Sequence, residues 1–400
     1  MEAGSDLNKG QKSPGRLVLP TLFLTRFIMG TPGIVSGLLL IEMGASFGTP
    51  VGITGQIRTA SSILGVVAAL VMGALSVRFD HKSLLLTGVV LYIVSSLGCS
   101  FSVSFGMLML FFTLNGVAFS LVSPMSSTLV AEYYPLERRT TAIGWLIAGG
   151  SSAYVIGAQV TALIANVGGW QSAFLWFMFP IASLGLLTAR FFLPSVERHR
   201  TPTDSGKYLD GFKAILSHRS AASCIAGTAL RAASFQVVLL YSTSMMRQQF
   251  SFSRGTASLF MTISAMCYTV GSIVAGRFVQ KMGRKRMTVF ATFLAAFFTL
   301  VFTLSGDLWL ALATNFLSAW FYGTSVSSGQ SLNLEQVPSF RGTMMSLNSA
   351  TASIGAALGA GLGGLIILRY GYGVLGVALG LVGIAAGGIF HFLVSDPTRT

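Results

Sequence analysis

Arg26 lies inside the first long apolar stretch of this 400-residue chain, and Arg231 lies at a similar depth inside the seventh. A charge within a bilayer costs roughly 2.5–3.5 kcal/mol on insertion scales, so such residues are rare and face a cavity or a partner. A guanidinium stays protonated and offers a planar fork that matches carboxylate or phosphate. Two of them, one in each half of a chain, point to a pathway for a negatively charged solute. Arg58, nearer the outer end of the second stretch, widens the positive entrance. Asn115, Gln236, Tyr268 and Asn348 are polar residues within other apolar stretches and complete the candidate solute-binding set. Each has a plainer alternative. An arginine in a span can snorkel or donate to backbone carbonyls, and an amide can bond a neighbouring helix.

The elements that position these residues follow from composition. Hydrophobic residues make up 52% of the chain and charged residues 10%, whereas soluble domains carry about 25% charged residues. Spans of about 20 apolar residues are read at 17–41, 52–76, 83–103, 105–131, 139–165, 170–193, 219–246, 256–280, 287–304, 308–332, 341–367 and 371–394. Continuous apolar runs with short loops specify helices, since barrel strands alternate with period two. The expected fold is an all-α membrane protein with about twelve transmembrane helices.

The net charge of +14 is a topology signal. Lys and Arg crowd the loops on the side of both termini, whereas the opposite side carries only Arg247, Arg254 and Arg369. The positive-inside rule then places both termini of a multi-pass protein in the cytoplasm. That distribution argues against a nucleic-acid partner. Cys99, Cys224 and Cys267 lie in apolar stretches without metal-ligand spacing and read as buried free thiols. The first span is too long for a signal-peptide core and is expected to remain in the mature protein.

A long polar stretch at 194–218 divides the chain into halves at 1–193 and 219–400. Within it, Phe212, Ile215 and Leu216 are spaced for a short amphipathic helix; a plain linker is the alternative. The halves repeat each other at one offset. Gly73 opens GALSVRFDHK and Gly276 opens GRFVQKMGRK, and 276 − 73 = 203. Glu132, Pro135 and Arg138 recur as Glu335, Pro338 and Arg341, and 335 − 132 = 203. Gly149, Ala153, Gly157 and Thr161 map to Ala352, Ala356, Ala360 and Gly364, a small-residue face in each half. Charged groups at these shared positions (Arg78, Asp80, Glu132 and Arg138, then Lys281, Arg284, Glu335 and Arg341) read as a gate. They would pair across a cavity mouth as it closes.

These motifs resemble the major facilitator superfamily over essentially the whole chain. Its loop signature, roughly G-x-x-x-D-R/K-x-G-R/K-R/K, is kept in the second copy at Gly276, Lys281, Gly283, Arg284 and Lys285, with Gln280 in place of the acid. The first copy keeps Gly73, Arg78 and Lys82, with Val77 in place of the acid and Asp80 in place of the second glycine. The resemblance implies two pseudo-symmetric six-helix bundles in the cytoplasmic membrane, alternating access to a site near the midplane, and a monomer. VGITGQIRTASSI is similar to the drug:proton antiporter branch, yet Phe112 stands where that branch carries an arginine. The arginines of spans one and seven resemble those of organophosphate:phosphate antiporters. One mismatch stands against that match: 231 − 26 = 205, two residues off the repeat, and two residues turn a helix by about 200°.

The leading reading is a secondary transporter of a small organic or inorganic anion. The alternatives are a drug or metabolite exporter, proton-coupled through Glu42, and a non-transporting sensor on the same fold. With no phosphate-binding loop or paired metal ligands in the sequence, no enzyme activity, cofactor or metal is expected.

Overall fold

The computed structural model describes residues 15–134, 136–194, 204–337 and 340–396. Among them every regular element is helical: α1 (Val18–Leu38), α2 (Leu40–Ser46), α3 (Val51–Thr54), α4 (Gln56–Arg78), α5 (His81–Ser100), α6 (Phe105–Tyr133) and α7 (Leu136–Ala173) come first. A π-helical turn at Phe174–Met178 leads into α8 (Phe179–Phe192). Then follow α9 (Asp204–Ser217), α10 (Arg219–Gln249), α11 (Arg254–Met282), α12 (Arg284–Leu304), α13 (Leu308–Gln336) and α14 (Arg341–Phe392).

Two of these helices are each two spans joined at a corner. Gly169 in α7 has φ 77° and ψ −178°, and Gly371 in α14 has φ 76° and ψ −174°. Backbone there is open to glycine and strained for other residues. Counting both sides of each corner, twelve spans form two six-helix bundles, close to the sequence reading. The main departure is at the end of span one. Leu39 leaves helical geometry (φ −109°, ψ 17°), so the chain turns into α2 instead of running on to residue 41. Within α1, Pro32 cannot donate to the Ile28 carbonyl; the Thr31 hydroxyl does so at 2.8 Å.

The linker is helical where described. Ile215 of α9 is buried with Leu332, Met344 and Val394, while Leu216 is exposed. The amphipathic spacing thus docks α9 on the second bundle. Within the first bundle, the small face of α7 receives α1. A β-carbon on Gly149 would lie 2.4 Å from the Phe23 carbonyl oxygen, and one on Gly30 would lie 2.7 Å from Cβ of Ala153. In the second bundle α10 packs on Gly355, Gly359 and Gly363 rather than on the face expected from the 203-residue offset. Since 355 − 149 = 206, the repeat slips by three residues along this helix.

The expected face of α14 serves another purpose: it meets the other bundle. β-Carbons on Gly52 and Gly364 would lie 2.2 and 2.3 Å from each other's carbonyl oxygens, so only glycine permits the approach of α3 to α14. Gln56 Nε2 donates to the Gly361 carbonyl at 3.1 Å, and a β-carbon on Gly55 would strike the Tyr241 hydroxyl. These contacts lie at the end of the molecule away from the chain termini, the far side. Gly364→Ala should therefore wedge the seam while leaving each bundle folded. A cysteine placed at Gln159 should then label faster with a membrane-impermeant maleimide than in the parent, with little change in Tm.

Candidate functional site

The intramembrane arginines find oxygen inside their own bundles. Arg26 on α1 crosses to α6, where Nη2 donates to the Ser123 carbonyl at 3.0 Å and to Ser127 Oγ at 2.7 Å, and Nη1 donates to Ser123 Oγ at 3.2 Å. Its Nε is buried without a partner. Arg231 on α10 crosses to α13 and donates from Nη1 to the Ser325 carbonyl at 2.6 Å. It is 3% exposed and sits 5.6 Å from the Phe390 ring centroid. Gly329 makes room for it, since a β-carbon there would lie 2.4 Å from Nη1. Both arginines thus tie the first helix of a bundle to its fourth, two-residue mismatch notwithstanding. Carbonyl donation, the plainer alternative, is how each is held.

Arg58 is placed differently. It projects from α4 at the junction of the bundles, where Nη2 reaches Gln236 Oε1 of α10 at 3.5 Å, a long contact. Tyr154 Oη of α7 and Arg58 Nη1 lie 2.6 and 3.4 Å from the β-carbon position of Gly33, hence within 2.6 + 3.4 = 6.0 Å of each other. Four spans therefore converge on one half-buried guanidinium. On the α10 side, the Phe235 ring stacks against Tyr268 at 5.2 Å and tilts against Tyr322 at 4.7 Å, giving an aromatic wall.

The remaining candidates are drawn into packing. Asn115 donates to the Phe112 carbonyl, though its Oδ1 is buried without a partner. Asn348 accepts from Asn333, which also takes a hydrogen bond from Cys224. That buried network links α10, α13 and α14 and lies within one bundle. A depression of about 340 Å³ opens at the far rim, lined by residues including Gln249, Phe250, Thr303 and Gly373; none of the candidate residues lines it.

Glu42 sits in α2 at the far end of the seam. Its carboxylate accepts from Arg247 Nη1 and Nη2 at 2.8 and 2.6 Å and from Arg254 Nε at 2.7 Å. Arg247 also donates to the Leu38 carbonyl, and Arg254 to the Ala165 carbonyl. One acid of the first bundle is therefore shared by two cations of the second. Burial disfavours its charge, but hydrogen bonding and charge from Arg247, with a hydrogen bond from Arg254, outweigh burial and hold the carboxyl below its ordinary value.

On the side of the termini, two ion pairs between described residues lie within bundles. His81 Nδ1 lies 2.6 Å from Glu132 Oε1, and Arg284 Nη2 lies 3.9 Å from Glu335 Oε1. Asp80 caps α5 through the Ser83 amide. Lys281 is exposed at the end of α11. Pro135 and Pro338 and the side chains of Arg78, Arg138 and Arg341 lie outside the described residues. Between described residues, the hydrogen bonds that join the bundles all fall in the far half of the seam, as with Gln159, which bonds Ser258 and Thr262.

The sequence model of the Major Facilitator Superfamily matches residues 22–245 and 224–400. The chain belongs to the Major Facilitator Superfamily. It is a multi-pass membrane protein of a transporter family. It is similar to a probable sugar efflux transporter of Pasteurella multocida (strain Pm70), 24% identical over 364 residues that cover 90% of this chain and 87% of the relative. It is also similar to the 4-hydroxybenzoate transporter PcaK of Acinetobacter baylyi, 26% identical over 201 residues, covering 50% of this chain and 43% of the relative. The crystal structure of a D-xylose-proton symporter has the same fold, with TM-score 0.79, 16% identity and coverage of 95% and 98% of the two chains.

Within this superfamily member, the residues that sequence reasoning missed were Arg247 and Arg254 as partners of Glu42, Tyr154 as the neighbour of Arg58, and His81. A signal existed for the first. Charge is scarce on the far side, so an acid there with two of the three cations is a natural match.

The depressed Glu42 carboxyl fixes the pH dependence of the far-side seal. Its contribution is present above the ordinary carboxyl value of 4.5 and is lost as pH falls through the lower value of the closed state. Spin labels on α2 and α11 should keep one short separation from pH 8 to 5 and lose it in stronger acid. Above that acid range, Glu42→Gln should reduce the short-distance population by up to about 3 kcal/mol, the upper end for hydrogen bonds to a charged group.

Proposed function

We propose that this chain is an alternating-access secondary transporter of a small organic anion, with Arg58 as the group that meets the negative charge. The observation that carries this reading is the position of Arg58. It stands where α1, α4, α7 and α10 meet, half-buried, with a long contact to a neutral amide. A desolvated guanidinium with a carboxylate makes paired, charge-assisted hydrogen bonds that Gln236 cannot match. Arg26 and Arg231 keep the surrounding potential positive while holding the bundles, and Tyr154, Gln236 and Tyr268 supply hydroxyl, amide and ring contacts for an organic body. Asn115 and Asn348 contribute through helix packing. The 4-hydroxybenzoate named for one relative is in keeping with this choice.

Transport requires the two ends of the seam to open in turn. Glu42 with Arg247 and Arg254 closes the far end, a latch rather than a proton carrier, because its carboxyl stays ionised near neutrality. The charged groups around Arg78, Asp80, Glu132, Arg138, Lys281, Arg284, Glu335 and Arg341 form the opposite gate. Bundles at 1–193 and 219–400, joined by 194–218, move against each other. Exposed Lys213, Arg219, Arg277, Lys281 and Arg286 on the side of the termini support a cytoplasmic position for that side in the cell membrane.

A second reading is sugar efflux, favoured by the name of the Pasteurella relative and by the neutral hydroxyl and amide groups around Arg58. Thermal stabilisation of purified protein separates the two. A ligand that binds only the folded state adds RT ln(1 + [L]/Kd), about 2.7 kcal/mol at a hundredfold excess. Aromatic or aliphatic carboxylates should stabilise the parent, and Arg58→Gln should weaken them at least tenfold. Stabilisation by neutral hexoses that survives Arg58→Gln would establish the sugar reading instead.

A further inference from the structure

The carboxylate of Glu42 fixes where two cations of the other bundle stand. Arg247 Nη2 and Arg254 Nε donate to the same oxygen, Oε1, at 2.6 and 2.7 Å, so the two guanidiniums lie side by side. Arg247 is in the last turn of α10 and Arg254 opens α11, with only a short link between them. Phe252 of that link meets Phe260 edge to face, with ring centroids 6.4 Å apart. The pair is therefore built into one corner of the second bundle. Its acceptors are all across the seam. Besides Glu42, Arg247 donates to the Leu38 carbonyl at 3.2 Å, and Arg254 donates to the Ala165 carbonyl at 2.9 Å and to Asn166 Oδ1 at 3.3 Å. Leu38, Glu42, Ala165 and Asn166 belong to the first bundle, and Arg247 Nε is already buried without a partner. Parting the bundles at this end strips both arginines of every acceptor they have among the described residues.

We propose that Arg247 and Arg254 form a carboxylate-binding subsite that is free when the far side is open and is filled by Glu42 when it is closed. Glu42 displays the binding mode: a paired contact with the Arg247 fork and a third hydrogen bond from Arg254. A free carboxylate matches the same donors. Such a ligand binds the open state alone and shifts the population toward it. This inference rests on the latch reading of Glu42 and on alternating access, and it does not depend on Arg58 meeting the solute.

Helix α1 measures how far this subsite stands from Arg58. Arg58 Nη1 lies 3.4 Å from the β-carbon position of Gly33, and Arg247 donates to the carbonyl of Leu38, where 38 − 33 = 5 residues. At 1.5 Å per residue the two levels are about 8 Å apart along the helix axis. An anion entering from the open far side meets Arg247 and Arg254 before Arg58, and one leaving by that side meets them last. Glu42 is then a tethered competitor, and the seal re-forms once the free carboxylate has left the pair. Arg369 is exposed on the same side and serves as a charge control.

The test uses spin labels at Val103→Cys and Leu310→Cys, exposed positions at the far ends of the first and second bundles, with the native cysteines replaced and the full chain in lipid nanodiscs. Interlabel distances are read near neutral pH as sodium acetate replaces sodium chloride at constant ionic strength. The fraction open on the far side should rise severalfold with acetate in the parent, and equally in Arg58→Gln, where the central guanidinium is gone. Glu42→Gln removes the competitor and should lower the acetate concentration at half-response severalfold, because more molecules are already open. The double variant Arg247→Gln, Arg254→Gln should be more open at the outset and indifferent to acetate, while Arg369→Gln should follow the parent. Arg247→Lys, which keeps the charge and loses the fork, should weaken the response and covers the case in which the double variant does not fold. A parent that ignores acetate, or a response undiminished in Arg247→Lys and in the double variant, would overturn the proposal. A response lost in Arg58→Gln of unchanged Tm would also overturn it, by assigning the effect to the central site and upholding that reading.

Discussion

A guanidinium inside a membrane must find oxygen for its N–H groups, and this structure is organised by how its arginines do so. Arg26 and Arg231 take backbone carbonyls of the fourth helix in their own bundles. Those carbonyls already serve the helix ladder, so each arginine uses the spare lone pair and fixes two spans without an acid. Arg58 has no such carbonyl among its described contacts and faces the seam between the bundles. The proposed distinction between structural arginines and a solute-binding one rests on that difference of partner, since all three have the same chemistry.

The sequence made the spans, the duplication and the side of the termini legible, because each rests on local composition: apolar length, loop charge and repeated motifs. It did not reveal which arginine faces the seam. Depth in a span pointed to Arg26 and Arg231, while Arg58, nearer an edge, was assigned to an entrance. What decides the matter is helix rotation, and rotation is set by small residues on neighbouring helices that are remote in sequence. Gly329, which admits the Arg231 side chain, is 98 residues away from it (329 − 231 = 98).

The drift of the repeat shows the same limit at larger scale. Loop positions keep the 203-residue offset, the α7 and α14 packing faces differ by 206, and the glycine corners by 371 − 169 = 202. A helix face turns by about 100° per residue, so a slip of three residues moves a packing stripe to a new neighbour while leaving the fold unchanged. The freed face, carrying Gly361 and Gly364, meets the other bundle. Slippage thus lets α14 meet the other bundle through glycines, where α7 meets it through Gln159.

The far-side seal combines a shared carboxylate with glycine-to-carbonyl contact, whereas the described joints on the opposite side stay within each bundle. Such a difference is a built-in thermodynamic asymmetry. In the proposed alternating-access cycle, a solute arriving from the side opposite the seal does not have to break it. One arriving from the sealed side meets the site only in the fraction of molecules that have broken the seal, and its apparent affinity is reduced by that fraction. In that cycle the same pocket presents two affinities to the two compartments, set by the strength of the far-side seal.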